Sequence, residues 1–338
     1  MSQDSRPFKR ARSVTDGAES SDATPHGDFK RSEEFWMPDG NIVLIAGETA
    51  FRVYRGLLAL QSTVFADLFA SSSPNAEESY EDCPLIRLTD SPHDLAHLLR
   101  VLLPTSRMLL QRREDDPQLS LHQISAIIRL THKYHIEDLH GQALYVLQDA
   151  FGPRSLRKWE DDFCSALLSW DDAGPIAVVN IARLTDTPSL LPIALYECCN
   201  LGEILIDGRK GEDGTVEHLS PADLKRCVRA RNEFAKEASA LTSTIFNSGP
   251  SGDCTTLDLC TASLHSFLVQ IMTDGSVADS AVLENWDYVV RRGARPRNNQ
   301  GYCSACEREL LARASRETER VWSRLPKIFD IEVPNWDS

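Results

Sequence analysis

Four cysteines in the last third of the chain have residue types and spacing that could hold a metal ion. Cys303 and Cys306 form a Cys-x-x-Cys pair, and Cys254 and Cys260 precede it. Such a pair directs two thiolates at one ion, and tetrahedral zinc needs two further soft ligands. Cys254 and Cys260 can supply them, with His265 as a substitute. Because all four positions would be filled, we expect a structural rather than a catalytic zinc.

Two other interpretations of these cysteines remain open. The gap between Cys254 and Cys260 is longer than the usual spacing of about two to four residues, which favours unliganded cysteines that pack as small apolar side chains. A thiol redox centre at Cys303 and Cys306 is the third interpretation, although no preceding strand accompanies it. The odd count of 9 cysteines, with no Asn-x-Ser/Thr acceptor, is typical of a reducing intracellular compartment.

Helices are expected to position these cysteines, because the chain beyond residue 151 has mostly helical periodicity. The segment Ser220-Pro221-Ala222-Asp223 is typical of a helix start, with a capping Ser and a Pro at the first position. Gly208, Gly211 and Gly214 predict an exposed loop. Cys198 and Cys199 are expected to pack in a helix. The predicted helices cover residues 156–170, 175–184, 188–198, 221–246, 257–272, 277–290 and 306–325.

The whole chain has the composition of an acidic globular protein. Its 338 residues are 42% hydrophobic and 25% charged, with a formal net charge of -14. This length suggests about two domains, and the apolar content excludes disorder throughout. The acidic balance disfavours a nucleic-acid partner, and no apolar run approaches the roughly 20 residues that span a bilayer. We therefore expect an intracellular protein of the nucleus or cytoplasm with no membrane partner.

The N-terminal segment, residues 1–34, predicts a flexible tail, because it contains few large apolar side chains to offset the entropy of ordering. It carries a short basic cluster with Lys9, Arg10 and Arg12, preceded by Pro7. This spacing suits a nuclear import signal in an exposed tail, although such clusters also arise by chance.

Residues 35–151 have the pattern of an α+β domain. The apolar run 42–45, the alternating residues 51–53 and the run 85–88 predict three strands. Ser91-Pro92-His93-Asp94 repeats the capped helix start found later in the chain. Helical periodicity recurs over residues 57–69, 95–102, 121–131 and 136–151.

This domain resembles the BTB/POZ fold through several spaced motifs in the expected order. With the strand Cys83-Pro84-Leu85-Ile86-Arg87-Leu88 and the helical, cysteine-bearing C-terminal part, the chain is similar to the large group of fungal BTB proteins. The motifs that carry the resemblance are Asp39-Gly40-Asn41-Ile42-Val43-Leu44, Phe51-Arg52-Val53-Tyr54-Arg55-Gly56-Leu57-Leu58, Ser62-Thr63-Val64-Phe65-Ala66-Asp67-Leu68-Phe69, Leu85-Ile86-Arg87-Leu88-Thr89-Asp90 and Leu130-Thr131-His132-Lys133-Tyr134-His135-Ile136-Glu137-Asp138-Leu139.

The resemblance implies a BTB/POZ domain over 35–151, a small sheet with helices, followed by a helical C-terminal domain over 152–338. It implies a protein-interaction module, a scaffold or adaptor without catalytic activity, whose BTB domain binds a second copy of the chain or a cullin scaffold. A substrate adaptor for a cullin-type ubiquitin ligase is one alternative. A nuclear transcription regulator, which rests on the basic tail and the zinc site, is another.

Signatures of catalysis are missing from the sequence, which contains no Gly-x-Gly-x-x-Gly, Walker, Gly-x-Ser-x-Gly or His-Glu-x-x-His motif. We therefore expect no enzyme and no small-molecule substrate.

The two closing helices of the N-terminal domain carry four histidines, His122, His132, His135 and His140. For these histidines a solvated helix surface is favoured over a metal site. Arginines late in the chain suggest contact with nucleic acid. Glu309 and Glu317 lie at helical spacing from two of them, which favours a solvated, ion-paired helix face instead. The arginines are Arg291, Arg292, Arg295 and Arg297 in a predicted loop, and Arg313, Arg316, Arg320 and Arg324 on a predicted helix.

Overall fold

The fold is described from a computed structural model of the chain. The residues that the structure describes are 29–71, 79–103, 118–153, 156, 159, 168–169, 171–273, 275, 281–283, 286–294 and 301–336.

A five-stranded sheet forms the core of the N-terminal part, with the strand order β1-β3-β2-β5-β4. The central pair β2 and β3 is antiparallel, and Gly47, at φ +54°, supplies the left-handed turn between them. Strand β1 runs parallel to β3, and β5 runs parallel to β2. The strands are β1 Lys30–Trp36, β2 Ile42–Ala46, β3 Thr49–Val53, β4 Ser79–Tyr80 and β5 Cys83–Leu88.

The expectation that the tail extends through residue 34 is wrong at its C-terminal end, because β1 begins at Lys30. The Lys30 amide donates to the Glu48 carbonyl at 2.7 Å, and Arg31 pairs at 2.5 Å with Glu81, the residue that follows β4. The Arg31 guanidinium also lies 4.7 Å from the centre of the Trp36 ring. Main-chain pairing, exposed charged contacts and a single buried side chain, Phe35, hold this strand, so its sequence lacks the apolar alternation by which strands are recognised.

Five helices accompany this sheet and confirm the α+β class, and apolar residues of the first three and of the end of the fourth share a buried cluster with the strands. Phe65 is buried at their centre, with its ring stacked on Tyr134 at 4.2 Å and on Phe69 at 5.6 Å. Ser120 begins one helix with a complete capping box, in which its hydroxyl accepts the Gln123 amide at 3.1 Å. The helices are α1 Arg55–Gln61, α2 Thr63–Ser71, α3 Pro92–Leu102, α4 Leu121–Lys133 and α5 Glu137–Phe151.

The rest of the described chain is mostly helical, as predicted. The capped start at Ser220 is confirmed, because its hydroxyl accepts the Asp223 amide at 3.1 Å. The elements are β6 Leu119–Ser120, β7 Leu168–Ser169, α6 Gly174–Leu184, a 3₁₀ turn Pro188–Leu190, α7 Leu191–Asn200, α8 Ile204–Asp207, β8 Arg209–Lys210, β9 Val216–Glu217, α9 Pro221–Asn247, α10 Leu257–Thr273, α11 Trp286–Ala294, α12 Ser304–Ser323 and α13 Leu325–Phe329.

Three local predictions in this part are corrected. Residues 168–169 form a strand that pairs with β6, so the helix predicted over 156–170 does not extend to its expected end. The glycine-marked loop contains the small antiparallel hairpin β8–β9. The helix predicted over 277–290 begins only at Trp286 within the described residues and extends to Ala294.

One continuous apolar core joins the closing helices α4 and α5 to the C-terminal helices. Leu147 of α5 and Ile127 of α4 are buried in the same cluster as Tyr196 and Phe234. The Tyr196 ring meets Phe234 edge-on at 5.4 Å. The boundary at residues 151/152 therefore stays a prediction, since apolar contacts run across it.

Polar contacts also join the two parts, between the β8–β9 hairpin and helices α3 and α4. The His97 ring nitrogen lies 2.7 Å from a Glu212 carboxylate oxygen, and Arg129 pairs with Glu217. The hairpin is itself fixed by Arg209, which is buried and bonds Asp171 at 2.9 Å.

Candidate metal centre

The four cysteines predicted as a metal site lie together in the fold. The sulfur atoms of Cys254, Cys260, Cys303 and Cys306 all lie within 4.8 Å of one another. The Cys254 and Cys303 sulfurs are 3.8 Å apart. A zinc ion about 2.3 Å from four tetrahedral sulfurs sets their mutual distance at about 3.8 Å, so this cluster has the dimensions of such a site.

Two helix N-termini bring the sulfurs together. Cys260 lies in the first turns of α10, while Cys254 belongs to the loop that precedes this helix. Cys303 is the N-cap residue of α12, and Cys306 lies in its first turn. The long gap between Cys254 and Cys260 is thus accommodated, because the chain enters a helix between them and turns the second sulfur back towards the first.

Backbone amides donate to the sulfurs. The Cys303 amide lies 3.2 Å from the Cys260 sulfur, and the Ser251 amide lies 3.4 Å from the Cys306 sulfur. The Thr256 amide donates to Cys254, and the Cys306 amide donates to Cys303. Each sulfur therefore accepts a main-chain N–H, and such donors together with two positive helix ends stabilise thiolates.

The thiols of the Cys-x-x-Cys pair differ in acidity. The hydrogen bond from the Cys306 amide lowers the pKa of Cys303 to about 6. Burial raises the pKa of Cys306 to about 12. Burial also raises the pKa of Cys254. A cation among the sulfurs would favour the thiolate at all of them, because coordination displaces the proton.

Neighbouring side chains fix the two segments that carry the loop cysteines. Arg313 of α12 donates to the Gly249 carbonyl at 2.8 Å and to the Ile245 carbonyl at 3.3 Å, which ties the end of α9 to α12. Tyr302 is buried and donates its hydroxyl to the Val290 carbonyl, so the residue before Cys303 is anchored to α11. The cluster thus joins parts that the fold already holds in register.

The centre has a buried side and an edge towards solvent. Cys260 and Cys306 are each 1% exposed, whereas Cys254 and Cys303 are half-buried. His265, the substitute ligand suggested by the sequence, is exposed and is not part of the cluster.

The other residues singled out in the sequence lie elsewhere. His132 and His135 are exposed. Within the described part of the chain, the only group of three or more His, Cys, Asp or Glu side chains that could hold a metal ion is the set of four cysteines. The import-signal residues Lys9, Arg10 and Arg12 lie outside the described residues.

The late arginines make the ion pairs that the sequence predicted. Arg313 bonds Glu309 at 2.9 Å, and Arg320 bonds Glu317 at 2.8 Å. Arg291 and Arg292 lie in helix α11 rather than in a loop, because the apolar face of that helix extends to Gly293. Arg295 and Arg297 fall outside the described residues.

Sequence reasoning missed two features. Cys227 joins Cys198 and Cys199 in a second group of buried thiols, and hydrogen bonds from these two lower the pKa of Cys227 to about 5. The packing predicted for Cys198 and Cys199 is confirmed. The second feature is a cleft beside Leu60, which arises where α1, α3 and α5 meet and leaves no local sequence signal.

No helix in the described part of the chain is both long and apolar enough to cross a membrane. Comparison with family models, curated proteins and solved structures finds no significant match to this chain. The BTB/POZ resemblance therefore stays a prediction from the residues.

Proposed function

We propose that this chain is a protein-interaction module without catalytic activity, with a BTB/POZ-type N-terminal domain. The order of elements supports the proposal: an antiparallel strand pair, two helices, a strand, a helix and a closing helix pair. The proposal draws on this order of elements together with the sequence motifs that carry the resemblance.

The observation that carries the proposal is a cleft with an exposed leucine at its rim. Leu60 on α1 is 83% exposed, which is the largest exposure among the large apolar side chains described. It borders a cleft of about 620 Å³ between α1, α3 and α5, to which Val101, Ile136 and Leu139 contribute apolar walls. An apolar anchor beside a half-apolar cleft is typical of a protein docking surface.

The charge of the rim favours a heterologous partner. Glu137 and Asp138 line the same cleft and are exposed. A second copy of this chain, with its net charge of -14, would bring more negative charge towards them. The proposed occupant is therefore a protein segment with an apolar anchor flanked by lysine or arginine, and the cullin scaffold implied by the resemblance is the first candidate.

A pull-down of the full-length chain with a purified cullin scaffold tests this proposal. We expect stoichiometric binding that Leu60→Lys weakens at least tenfold, because the substitution places a cation where the apolar anchor docks. Val228→Lys is the matched control, since Val228 is 55% exposed on α9, away from the cleft, and its substitution leaves binding unchanged.

Three results would contradict this function. Absence of binding removes the cullin as partner and with it the adaptor role. Binding that both variants retain equally places the contact elsewhere. Light scattering that shows a dimer disrupted by Leu60→Lys assigns the cleft to a second copy instead.

For the four cysteines, we propose a structural zinc ion. The four thiols within 4.8 Å of one another and the four N–H···S bonds support this metal, and a full set of four protein ligands supports a structural role. Bound zinc would supply no reaction. It would cross-link the loop before α10 to the start of α12 and neutralise the thiolates that this packing brings together.

A further inference from the structure

We propose that Cys254 and Cys303 are a site of reversible oxidation, at which a peroxide forms a disulfide between them and expels the metal ion. This proposal rests on the structural zinc proposed above, and it assigns to the same centre a response to oxidants.

Exposure separates this pair from the other two ligands. Cys254 and Cys303 form the half-buried edge of the cluster, while Cys260 and Cys306 are each 1% exposed. A peroxide approaching from solvent therefore meets the sulfurs of Cys254 and Cys303 first. The other described cysteines outside the cluster are all buried: Cys83, Cys198, Cys199 and Cys227.

The distance between the Cys254 and Cys303 sulfurs allows them to react with each other. They are 3.8 Å apart, and a disulfide requires about 2.05 Å, so the two must approach by roughly 1.8 Å. Cys254 lies in a loop, and Cys303 is the residue that directly precedes α12. Neither sulfur therefore has to leave the interior of a helix for the two to approach each other. Cys306, the sequence neighbour in the Cys-x-x-Cys pair, is held in the first turn of α12 and accepts the Ser251 amide.

The reaction balances with one peroxide molecule. One thiolate attacks a peroxide oxygen, the O–O bond breaks, and a sulfenic acid and hydroxide form. The second thiolate then attacks the sulfenic sulfur, and a second hydroxide leaves as the S–S bond forms. Two thiolates are oxidised by two electrons in total and hydrogen peroxide is reduced to two hydroxide ions.

Loss of two ligands removes the ion, because Cys260 and Cys306 alone do not complete a tetrahedral site. The new disulfide still joins the loop before α10 to the start of α12. The link between these segments is therefore exchanged rather than lost, and a thiol reductant restores the original ligand set.

Zinc release and disulfide mapping in the same sample test the proposal. The full-length chain is used with Cys164→Ser, since Cys164 lies outside the described residues and would add an uncharacterised thiol. Hydrogen peroxide is added in equimolar steps, released zinc is read with a chromogenic chelator, and disulfides are mapped by differential alkylation and mass spectrometry. We expect one equivalent of zinc per equivalent of the Cys254–Cys303 disulfide, and rebinding after reduction.

The possible results distinguish failure of the oxidation site from failure of the structural zinc ion. A chain that neither contains zinc nor binds added zinc overturns the structural metal, and the proposed metal release with it. A chain that holds zinc but retains it after peroxide, or releases it while forming a Cys303–Cys306 disulfide, leaves the structural metal intact and overturns the assignment of Cys254 and Cys303.

Discussion

The N-terminal sheet and the end of the C-terminal helical part are held together by different means. Around the sheet, aromatic and aliphatic side chains form a closed core, with Phe65 and Leu98 fully buried. Where α10 and α12 begin, two loops meet at the edge of the larger apolar cluster, and four cysteines lie there, with Cys260 and Cys306 inside that cluster and Cys254 and Cys303 packed against it. Apolar burial alone holds the faces of the N-terminal elements together, whereas the ends of α10 and α12 combine burial with four sulfurs that are close enough to bind one metal ion.

Removal of one buried ligand is expected to have the largest effect. Cys306→Ser should abolish stoichiometric zinc binding and open α10 and α12, because structural zinc in small cysteine-rich sites contributes about 10–16 kcal/mol of binding free energy. Hydrogen exchange should accelerate more than tenfold in Leu257–Thr273 and Ser304–Ser323, and remain slow in the sheet strand Ile42–Ala46. This outcome would separate the two regions experimentally.

A buried cysteine of the sheet provides the control. Cys83 is 6% exposed and its thiol donates to the Gly40 carbonyl at 3.3 Å. Cys83→Ser should leave the zinc content unchanged and cost about 1 kcal/mol. If Cys306→Ser and Cys83→Ser alter exchange in the same segments, the distinction between the regions fails.

Truncation of the N-terminal core should have the next largest effect. Phe65→Ala removes a fully buried ring that stacks on Tyr134 and Phe69, and we expect a loss of about 3–5 kcal/mol in the free energy of unfolding. Leu60→Ala, at an exposed position in the same region, should change it by less than about 0.5 kcal/mol. Denaturant titration measures both, and a loss of zinc from Phe65→Ala under native conditions would contradict the independence of the two regions.

An ion pair in the C-terminal part should make a smaller, pH-dependent contribution. Burial raises the pKa of Asp223, but hydrogen bonds from Arg183 and Ser220 outweigh burial, so the pKa lies below the usual range. The stabilisation is therefore complete above the ordinary carboxyl pKa of about 4, and it is lost as the pH falls through the lower folded value. Asp223→Asn should cost about 1–3 kcal/mol at pH 7.

Unfolding at two pH values checks this sign. The difference between Asp223→Asn and the unaltered chain should shrink as the pH is lowered from 7 to about 2.5, because the native carboxylate then becomes protonated. A difference that stays constant or grows in acid would show that Asp223 does not act through its charge.

Apart from the control substitutions, the smallest expected effects are those of two helix caps, one in each region. Ser120→Ala and Ser220→Ala should each cost about 1 kcal/mol, because each hydroxyl accepts an amide at the start of its helix. Ser220→Ala should cost more, since its hydroxyl also bonds the Asp223 carboxylate at 2.9 Å. The conservative Ser→Thr variants should retain most of the stability in thermal unfolding. A larger loss of stability for Ser120→Ala than for Ser220→Ala would contradict the predicted order.

Much of the fold could be predicted from local patterns. Apolar periodicity predicted helix α10, and the Ser-Pro-x-Asp segments predicted the starts of α3 and α9, because capping depends on neighbours in sequence. Strand β1 and the β8–β9 hairpin were missed, since their stability comes from pairing with distant residues rather than from an apolar run.

The candidate site was predicted from the Cys-x-x-Cys spacing of one pair and from residue type alone for the other two cysteines. The Cys303 and Cys306 pair indicated a metal, but the choice of Cys254 and Cys260 over His265 was settled only by the packing of α10 against α12. The bond from the Ser251 amide to the Cys306 sulfur and the exposed edge at Cys254 could not be predicted, because both depend on where Arg313 holds the loop that follows Gly249. The cleft at Leu60 likewise forms only when three helices meet.

The most direct test of the account is the metal content of the full-length chain, purified without metal-binding tags and measured by elemental analysis after denaturation. We expect one zinc ion per chain, lost in Cys306→Ser and retained in Cys83→Ser. Less than about half an equivalent of zinc, even after zinc is supplied during refolding, would contradict the claim that the four cysteines hold the C-terminal helices through a metal ion.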